Sequence, residues 1–312
     1  MTIFSKEARE LIKGQISEWD LAANNYKGLK KVKVKALAFN GHEILVQFNP
    51  ERIRSSAAKV DAKSIEARPC FLCAKNLPAQ QRGLEFGSDY TVLVNPFPIF
   101  PEHLTIPKNA HNDQRIRGHF EAMLDLAKEL DDFTVFYNGP KCGASAPDHF
   151  HFQAGIKGFL PIENEFKNGN HCKEVGCVDE VSVFHWEKYL RGVITLKSKN
   201  KASLAKLFYK LYDSLEKMQS EELEPMLNIL ASMEDGTYVV HVFPRKQHRP
   251  SQFFAEGEAQ FTISPASVDM GGVFITPREE DFNKIDAEVI QDIFNQVCYD
   301  DAVVMELIRS SL

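Results

Sequence analysis

The chain has 312 residues, 44% of them hydrophobic and 26% charged, and a net charge of −6, values typical of a soluble globular protein of one large or two ordinary domains. That charge argues against a surface devoted as a whole to nucleic acid, and leaves room for a local basic pocket that takes a small phosphorylated ligand. No run of about 18 apolar residues occurs and the first ten residues carry no apolar signal core, so no membrane span or secretory leader is expected and the location read from the sequence is cytoplasmic.

Over residues 5–26, Ala8, Leu11, Ile12, Ile16 and Trp19 recur at helical spacing and Gly28 stops the pattern, which predicts an N-terminal helix. Val32 and Val34 alternate with Lys31, Lys33 and Lys35 in a strand that runs to Phe39. Asn40-Gly41 is a type I′ hairpin signal, and residues 42–48 return. The lysines are expected to face water. The polar stretch 51–68 reads as a solvated loop or short helix, with the alternative that Arg52 or Arg54 reaches over a bound phosphate. Pro69-Cys70-Phe71-Leu72-Cys73 follows, then predicted strands over 90–94 and 103–106. Ile116, Phe120, Met123, Leu124, Ala127 and Leu130 mark an amphipathic helix.

A strand over 133–137 leads into a loop of small residues, Asn138-Gly139-Pro140 and Gly143-Ala144-Ser145-Ala146-Pro147, a backbone that can approach phosphates closely. Asp148-His149-Phe150-His151-Phe152-Gln153 comes next. On a strand, the period of two sends His149, His151 and Gln153 to one face and Phe150 and Phe152 to the other. This order of elements is what an antiparallel sheet with a helix across it produces.

The second half repeats the rhythm weakly. Residues 162–179, with His171, Cys172 and Cys177, read as an inserted surface loop, because those three lack a fourth metal ligand nearby. A strand over 192–196, a helix carried by Leu204, Leu207, Phe208, Leu211, Leu215 and Met218, and a strand over 237–243 follow. His241 and Phe243 sit where a second half would carry its own His-x-His. The basic run Arg245-Lys246-Gln247-His248-Arg249 is a candidate for phosphate or partner binding, with Arg245 and Lys246 its foremost residues, and residues 286–312 are read as C-terminal helices. The fold class expected is α+β, in two diverged halves, 1–160 and 161–312.

His149-Phe150-His151-Phe152-Gln153 resembles the His-x-His-x-Gln signature of the nucleotidyl-transferring branch of the histidine triad superfamily. That branch holds galactose-1-phosphate uridylyltransferase, diadenosine tetraphosphate phosphorylase and the plant-type GDP-L-galactose phosphorylases. Asn138-Gly139, Ser145, Gly271-Gly272-Val273-Phe274 and Arg278-Glu279-Glu280-Asp281-Phe282 resemble the last group most. The similarity covers residues 65–160 well and 236–290 more loosely. It implies histidine-triad-like antiparallel sheets with packed helices.

Cys70 and Cys73 form a Cys-x-x-Cys, which serves zinc or redox chemistry. The redox use wants a βαβ context, whereas this motif follows a polar loop and precedes turns. The other four cysteines are too irregularly spaced for a disulfide framework. In zinc-containing members of the superfamily the remaining ligands resemble His111 and His149, with His103 as the rival fourth ligand, so the resemblance implies a structural Zn2+ on Cys70, Cys73, His111 and His149.

The resemblance also implies the chemistry. Neutral imidazole is a good nucleophile near pH 7 and a good leaving group afterwards, and His151 is placed for that role, with its other ring nitrogen donating to a backbone carbonyl. Gln153 and backbone N–H groups near Gly143 and Ser145 would hold the phosphoryl oxygens as charge develops. Asn138 and Ser145 match phosphate-contacting positions. The expected reaction transfers the nucleotide of a nucleoside diphosphate sugar, GDP-hexose being favoured, through a nucleotidyl-histidine to phosphate or a sugar phosphate. Hydrolysis or phosphorolysis of a dinucleoside polyphosphate, or a non-catalytic nucleotide-binding zinc protein, are the alternatives. No nucleic-acid or membrane partner is expected, and a homodimer is the assembly to test for.

Overall fold

Thirteen strands are found among the residues that the computed structural model describes, 1–53 and 61–312. In chain order they are β1 (Lys33–Phe39), β2 (His42–Phe48), β3 (Gly83–Phe86), β4 (Tyr90–Val94), β5 (His103–Pro107), β6 (Phe133–Asn138), β7 (His151–Ile156), β8 (Cys172–Val178), β9 (Val181–Trp186), β10 (Ile194–Ser198), β11 (Leu227–Glu234), β12 (Thr237–Pro244) and β13 (Val273–Thr276). Ten of them form one sheet in the order β3-β4-β5-β7-β6-β11-β12-β10-β9-β8, every pair antiparallel. β1, β2 and β13 form a second sheet in which β13 runs parallel to β2. The fold is α+β, with antiparallel sheets and packed helices.

Alternation along the strands gives the large sheet two apolar faces. One carries Phe150, Phe152, Val135, Tyr137 and Ile229, which share a buried cluster with Phe120 and Met123 of the helix Phe120–Glu129 and with Leu204 and Phe208 of the helix Lys201–Met218. The Phe120 and Phe208 rings stack with centroids 3.7 Å apart, which adds about 0.5–1.5 kcal/mol to the area they bury. The other face carries Phe136, Leu230 and Phe243. It is covered by Ile44 and Val46 of β2, Phe274 of β13 and Phe294 of the helix Ala287–Val297. Since Phe136 pairs directly with Gln153, the chemistry-bearing side chains lie on this second face.

The strand registers reveal a two-fold relation. β6 and β11 meet with Phe136 opposite Leu230. On one side of that pair Gln153 lies opposite both Phe136 and Thr105; on the other, His241 lies opposite both Leu230 and Thr195. His241 is therefore the counterpart of Gln153, and two residues upstream the counterpart of His151 is Val239. The second half holds no histidine at the position matching His151, and His241 on β12 occupies the glutamine's place rather than the first place of a His-x-His.

Several expected elements differ in detail. The N-terminal helix is two helices, Ile3–Glu18 and Asp20–Gly28, separated at Trp19, whose backbone is extended (φ −122°, ψ 103°). In β1 the buried Phe39 sets the inward face, so Lys35 turns toward it, while Lys33 at the strand's end is exposed as expected and Val34 is 53% exposed. Lys35 Nζ donates to the Ile285 carbonyl at 2.7 Å and lies over the Phe282 ring, instead of facing water. Residues 162–179 are no surface loop: a helix, Pro161–Asn168, ends at Gly169 in the left-handed region (φ 70°), and β8 then forms the sheet edge against β9. β7 begins at His151, leaving His149 in the bend before it. Among the described residues no helix is long and apolar enough to cross a membrane.

Candidate active site and metal cluster

Cys70, Cys73, His111 and His149 converge. Each offers one ligand atom, and these atoms all lie within 4.8 Å of one another. Cys70 Sγ is 3.2 Å from His149 Nδ1, and Cys73 Sγ is 3.2 Å from His111 Nδ1. A tetrahedral ion with bonds of about 2.3 Å to sulfur and 2.0–2.1 Å to nitrogen has S···N edges of about 3.5 Å, so the donor set and its spacing fit Zn2+. The surroundings agree. His149 Nε2 lies 2.7 Å from the Lys108 carbonyl and must donate to it, which leaves Nδ1 as a lone pair facing the sulfurs. Asp148 Oδ2 stands 3.9 Å from His111 Nε2. His103 is elsewhere: its Nδ1 accepts from the Ile99 N–H at 3.1 Å in a fully buried setting, so it is not the fourth donor.

His151 opens β7 and is 3% exposed. Its Nδ1 lies 2.9 Å from the His149 carbonyl, and only a protonated nitrogen can bond there, so Nε2 carries the free lone pair. Burial lowers the ring's pKa to about 4, which keeps it neutral. Gln114, a residue the sequence did not single out, fixes the backbone. It accepts from the His151 N–H at 2.8 Å and donates to the carbonyls of His151 and Asn138.

Two amides are oriented by their surroundings. Because His103 Nδ1 accepts from Ile99, its Nε2 is the protonated atom and donates to Gln153 Oε1 at 3.1 Å, joined by Asn95 Nδ2 at 3.3 Å. The Gln153 oxygen is thus engaged and its NH2 group is left for a ligand. Asn138 Oδ1 likewise accepts from Asn228 Nδ2, the Ser267 N–H and the Ser267 hydroxyl, which leaves the Asn138 NH2 unengaged among the described residues. A cavity of about 660 Å3 is lined by His151, Gln153, Asn138, Gly143 and Ser145 and by the apolar Trp19, Phe71, Leu72, Pro78, Leu93 and Phe97. That size suits a nucleotide-sized ligand. Gly143 has φ 92°, and a Cβ there would sit 2.5 Å from that of Ala266, so only glycine lets the loop come this close.

The cavity also contains residues that lie far away in sequence. Arg52 donates from Nη1 to the Phe97 carbonyl at 2.8 Å, while its buried Nε has no partner among the described residues and burial lowers its pKa to about 10. Arg68 donates to Asp148 at 2.9 Å, and its buried Nη1 has no partner among the described residues. Both line the cavity; Arg54 lies outside the described residues. Asp269, which also lines the cavity, accepts from the Ala266 and Ile275 N–H groups, and burial raises its pKa to about 6. The segment 264–276 thus brings the C-terminal part of the chain onto the first-half site.

Arg245 and Lys246 do not reach this cavity. Arg245 is fully buried, with its guanidinium donating to the carbonyls of Val297, Pro265, Gln247 and His248 and to Asn228 Oδ1, so it has no donor left for a substrate. Its contribution is indirect, because Asn228 in turn holds Asn138. Lys246 is exposed. The basic run is therefore a correction to the sequence reading: its leading arginine braces the site from behind. His241 is buried against Thr195 Oγ1 at 2.7 Å and takes no part.

Two family models match the chain. One, described as a domain of unknown function (DUF4922), covers residues 11–156, and the other, described as "GDPGP1-like, C-terminal domain", covers residues 167–309. No curated protein matches in sequence. Among solved structures, the yeast Ap4A phosphorylase Apa2 is similar at 16% identity with a TM-score of 0.57, over 90% of this chain and 94% of that one. Its complex with AMP gives 17% and 0.59 over 92% and 97%, and its complex with Ap4A gives 16% and 0.56 over 90% and 97%. At these identities the likeness establishes the fold.

Proposed function

We propose that this chain, a member of the nucleotidyltransferase and phosphorylase branch of the histidine triad superfamily, is a phosphorylase that cleaves a nucleoside diphosphate sugar, GDP-hexose in the favoured case, through a nucleotidyl group held on His151. The observation that carries this reading is the state of His151: neutral, its Nδ1 tied to a carbonyl, its Nε2 free, in a cavity where two amide NH2 groups have no other acceptor.

In the first step His151 Nε2 attacks the α-phosphorus, an N–P bond forms, the P–O bond to the distal phosphate breaks, and hexose 1-phosphate leaves. In the second, an oxygen of inorganic phosphate attacks the same phosphorus, the N–P bond breaks, and a nucleoside diphosphate departs with the neutral ring restored. Gln153 and Asn138 hold non-bridging oxygens through their NH2 groups, and the Gly143–Ser145 backbone supports them as negative charge grows. Arg52 and Arg68 offer unpartnered N–H groups to the phosphates. Zn2+, held by Cys70, Cys73, His111 and His149, would serve structure by tying three loops together. His149 would connect that metal site to the chemistry, since its side chain would be a ligand while its carbonyl sets the His151 tautomer.

A second reading, phosphorolysis of a dinucleoside polyphosphate, is favoured by the full-length similarity to an Ap4A phosphorylase. One experiment separates the readings. Purified protein is incubated with a panel of nucleoside diphosphate sugars and dinucleoside polyphosphates, with and without phosphate, and the products are resolved by chromatography. The proposal expects phosphate-dependent release of hexose 1-phosphate, fastest with GDP-hexose. Turnover of dinucleoside polyphosphates alone would replace it with the second reading, and turnover independent of phosphate would make the protein a hydrolase.

A further inference from the structure

The two-fold relation of the sheet carries the active-site rim onto a place in the second half that the reaction does not use. Leu93 opposite Thr105 matches Phe184 opposite Thr195, so the loop between β9 and β10 is the counterpart of the loop between β4 and β5, whose Pro96, Phe97 and Ile99 line the catalytic cavity. The second-half loop holds Arg191. This arginine is 1% exposed, and Nε, Nη1 and Nη2 are all buried without a hydrogen-bond partner. Its Cζ lies 4.0 Å from the centre of the Tyr189 ring and 5.6 Å from that of Phe294. Against the same Tyr189 ring, at 4.7 Å, lies the imidazole of His42, which is 5% exposed and has both nitrogens buried without a partner.

A buried cation with no partner is costly, and the two cation–π contacts offset only part of that cost. Among the described residues no carboxylate forms an ion pair with it. The nearby carboxylate Glu165 is engaged by the Tyr189 hydroxyl and makes no ion pair with Arg191. What the two side chains present is five guanidinium N–H donors, one imidazole N–H and a single imidazole lone pair, a set dominated by donors that carries one positive charge. The backbone around it is held in unusual conformations: Lys188 (φ 54°) and Leu190 (φ 62°) are both left-handed without being glycine, a strain found where structure around a site enforces it. Gly192 is pinned behind, since a Cβ there would lie 2.6 Å from the Tyr299 carbonyl.

We propose that Arg191 and His42 form a buried binding site for a small anion of single negative charge, a halide or a small oxyanion. It occupies the second half's counterpart of the catalytic rim and joins the β1–β2 hairpin to the large sheet. The ligand class follows from the donors: one cation calls for one negative charge, and a fork of N–H groups calls for an acceptor. The site is separate from the His151 cavity, and the proposal stands whether or not the assigned reaction does.

Crystals of the full wild-type chain grown in bromide test it directly. An anomalous peak within hydrogen-bond distance of the Arg191 nitrogens is expected. Tetrahedral density there in phosphate-grown crystals, without a bromide peak, would assign the site to an oxyanion. Density for water molecules alone, or none, overturns the proposal. In solution, titrating bromide into a gluconate buffer should raise the Tm of the wild type saturably, by about 5 °C at a hundredfold excess over Kd. The same rise is expected in Arg52→Met, whose change lies in the catalytic cavity, and none in Arg191→Met. An equal rise in Arg191→Met would refute the assignment, and if that variant does not fold the bromide map decides.

Discussion

Replacing Gln153 by glutamate isolates the step on which the proposed chemistry depends. The Gln153 oxygen already accepts from His103 at 3.1 Å and Asn95 at 3.3 Å, and a carboxylate oxygen keeps both bonds. What changes is the other end, where an NH2 donor aimed at the cavity becomes an anionic oxygen facing the substrate's phosphates. Losing one preorganised donor costs about 10²–10³ in rate, and like charges about 4 Å apart at an effective dielectric constant of about 20 repel by about 4 kcal/mol. Q153E should therefore form the nucleotidyl-enzyme at least about 10³-fold more slowly than wild type, with Q153A between them. Rapid-quench single turnover measures this. His103→Leu, which frees the Gln153 amide to rotate, should lower the same rate with little change in KM, and His103→Gln should restore part of it. A Q153E rate within tenfold of wild type would show that the Gln153 NH2 does not face the reacting phosphate.

The other consequences concern the frame around that step. Cys70→Ser should leave purified protein without stoichiometric zinc by elemental analysis and lower Tm by more than about 5 °C; full stability and activity without metal would remove the zinc assignment. Gly143→Ala forces a Cβ to 2.5 Å from that of Ala266 at φ 92°, and should cost about 1–3 kcal/mol in denaturant unfolding and slow turnover further. Arg245→Met should cost about 3 kcal/mol or more of stability, through the buried acceptors it leaves unpaired, whereas Lys246→Ala should change neither stability nor the KM for phosphate. A raised phosphate KM in Lys246→Ala would return the basic run to the substrate.

What the sequence made legible was local. His149, His151 and Gln153 stand two apart, and Cys70 and Cys73 three apart, so spacing and residue type alone mark them, and the structure brings these and His111 to one end of β7. The hidden part was what only the pairing of distant strands creates. Nothing near His103 in sequence says that Ile99 fixes its tautomer and so turns the Gln153 amide. Asp269 and Ser267 reach the site from over a hundred residues away by way of β13's return to β2. Charge was the least reliable guide. A basic run reads as surface, but Arg245, just past β12, faces the carbonyls of Val297, Pro265, Gln247 and His248, the first two brought from distant parts of the chain. Lys35 misled similarly, since the buried Phe39 decides which alternate residues face inward, while Lys33 faces water as expected. The repeat was visible in outline, but its register was not: one strand pair puts His241 in the place of Gln153 and Val239 in that of His151.

The central claim is that His151 carries the nucleotide. Intact-mass analysis after mixing the protein with GDP-hexose in the absence of phosphate measures this most directly. The expected result is a mass increase of one nucleoside monophosphate on wild type, labile in acid, mapped to His151 and discharged by added phosphate, with none on a folded His151→Ala. Product formation without an adduct during a single turnover, or an adduct on another residue, would contradict it.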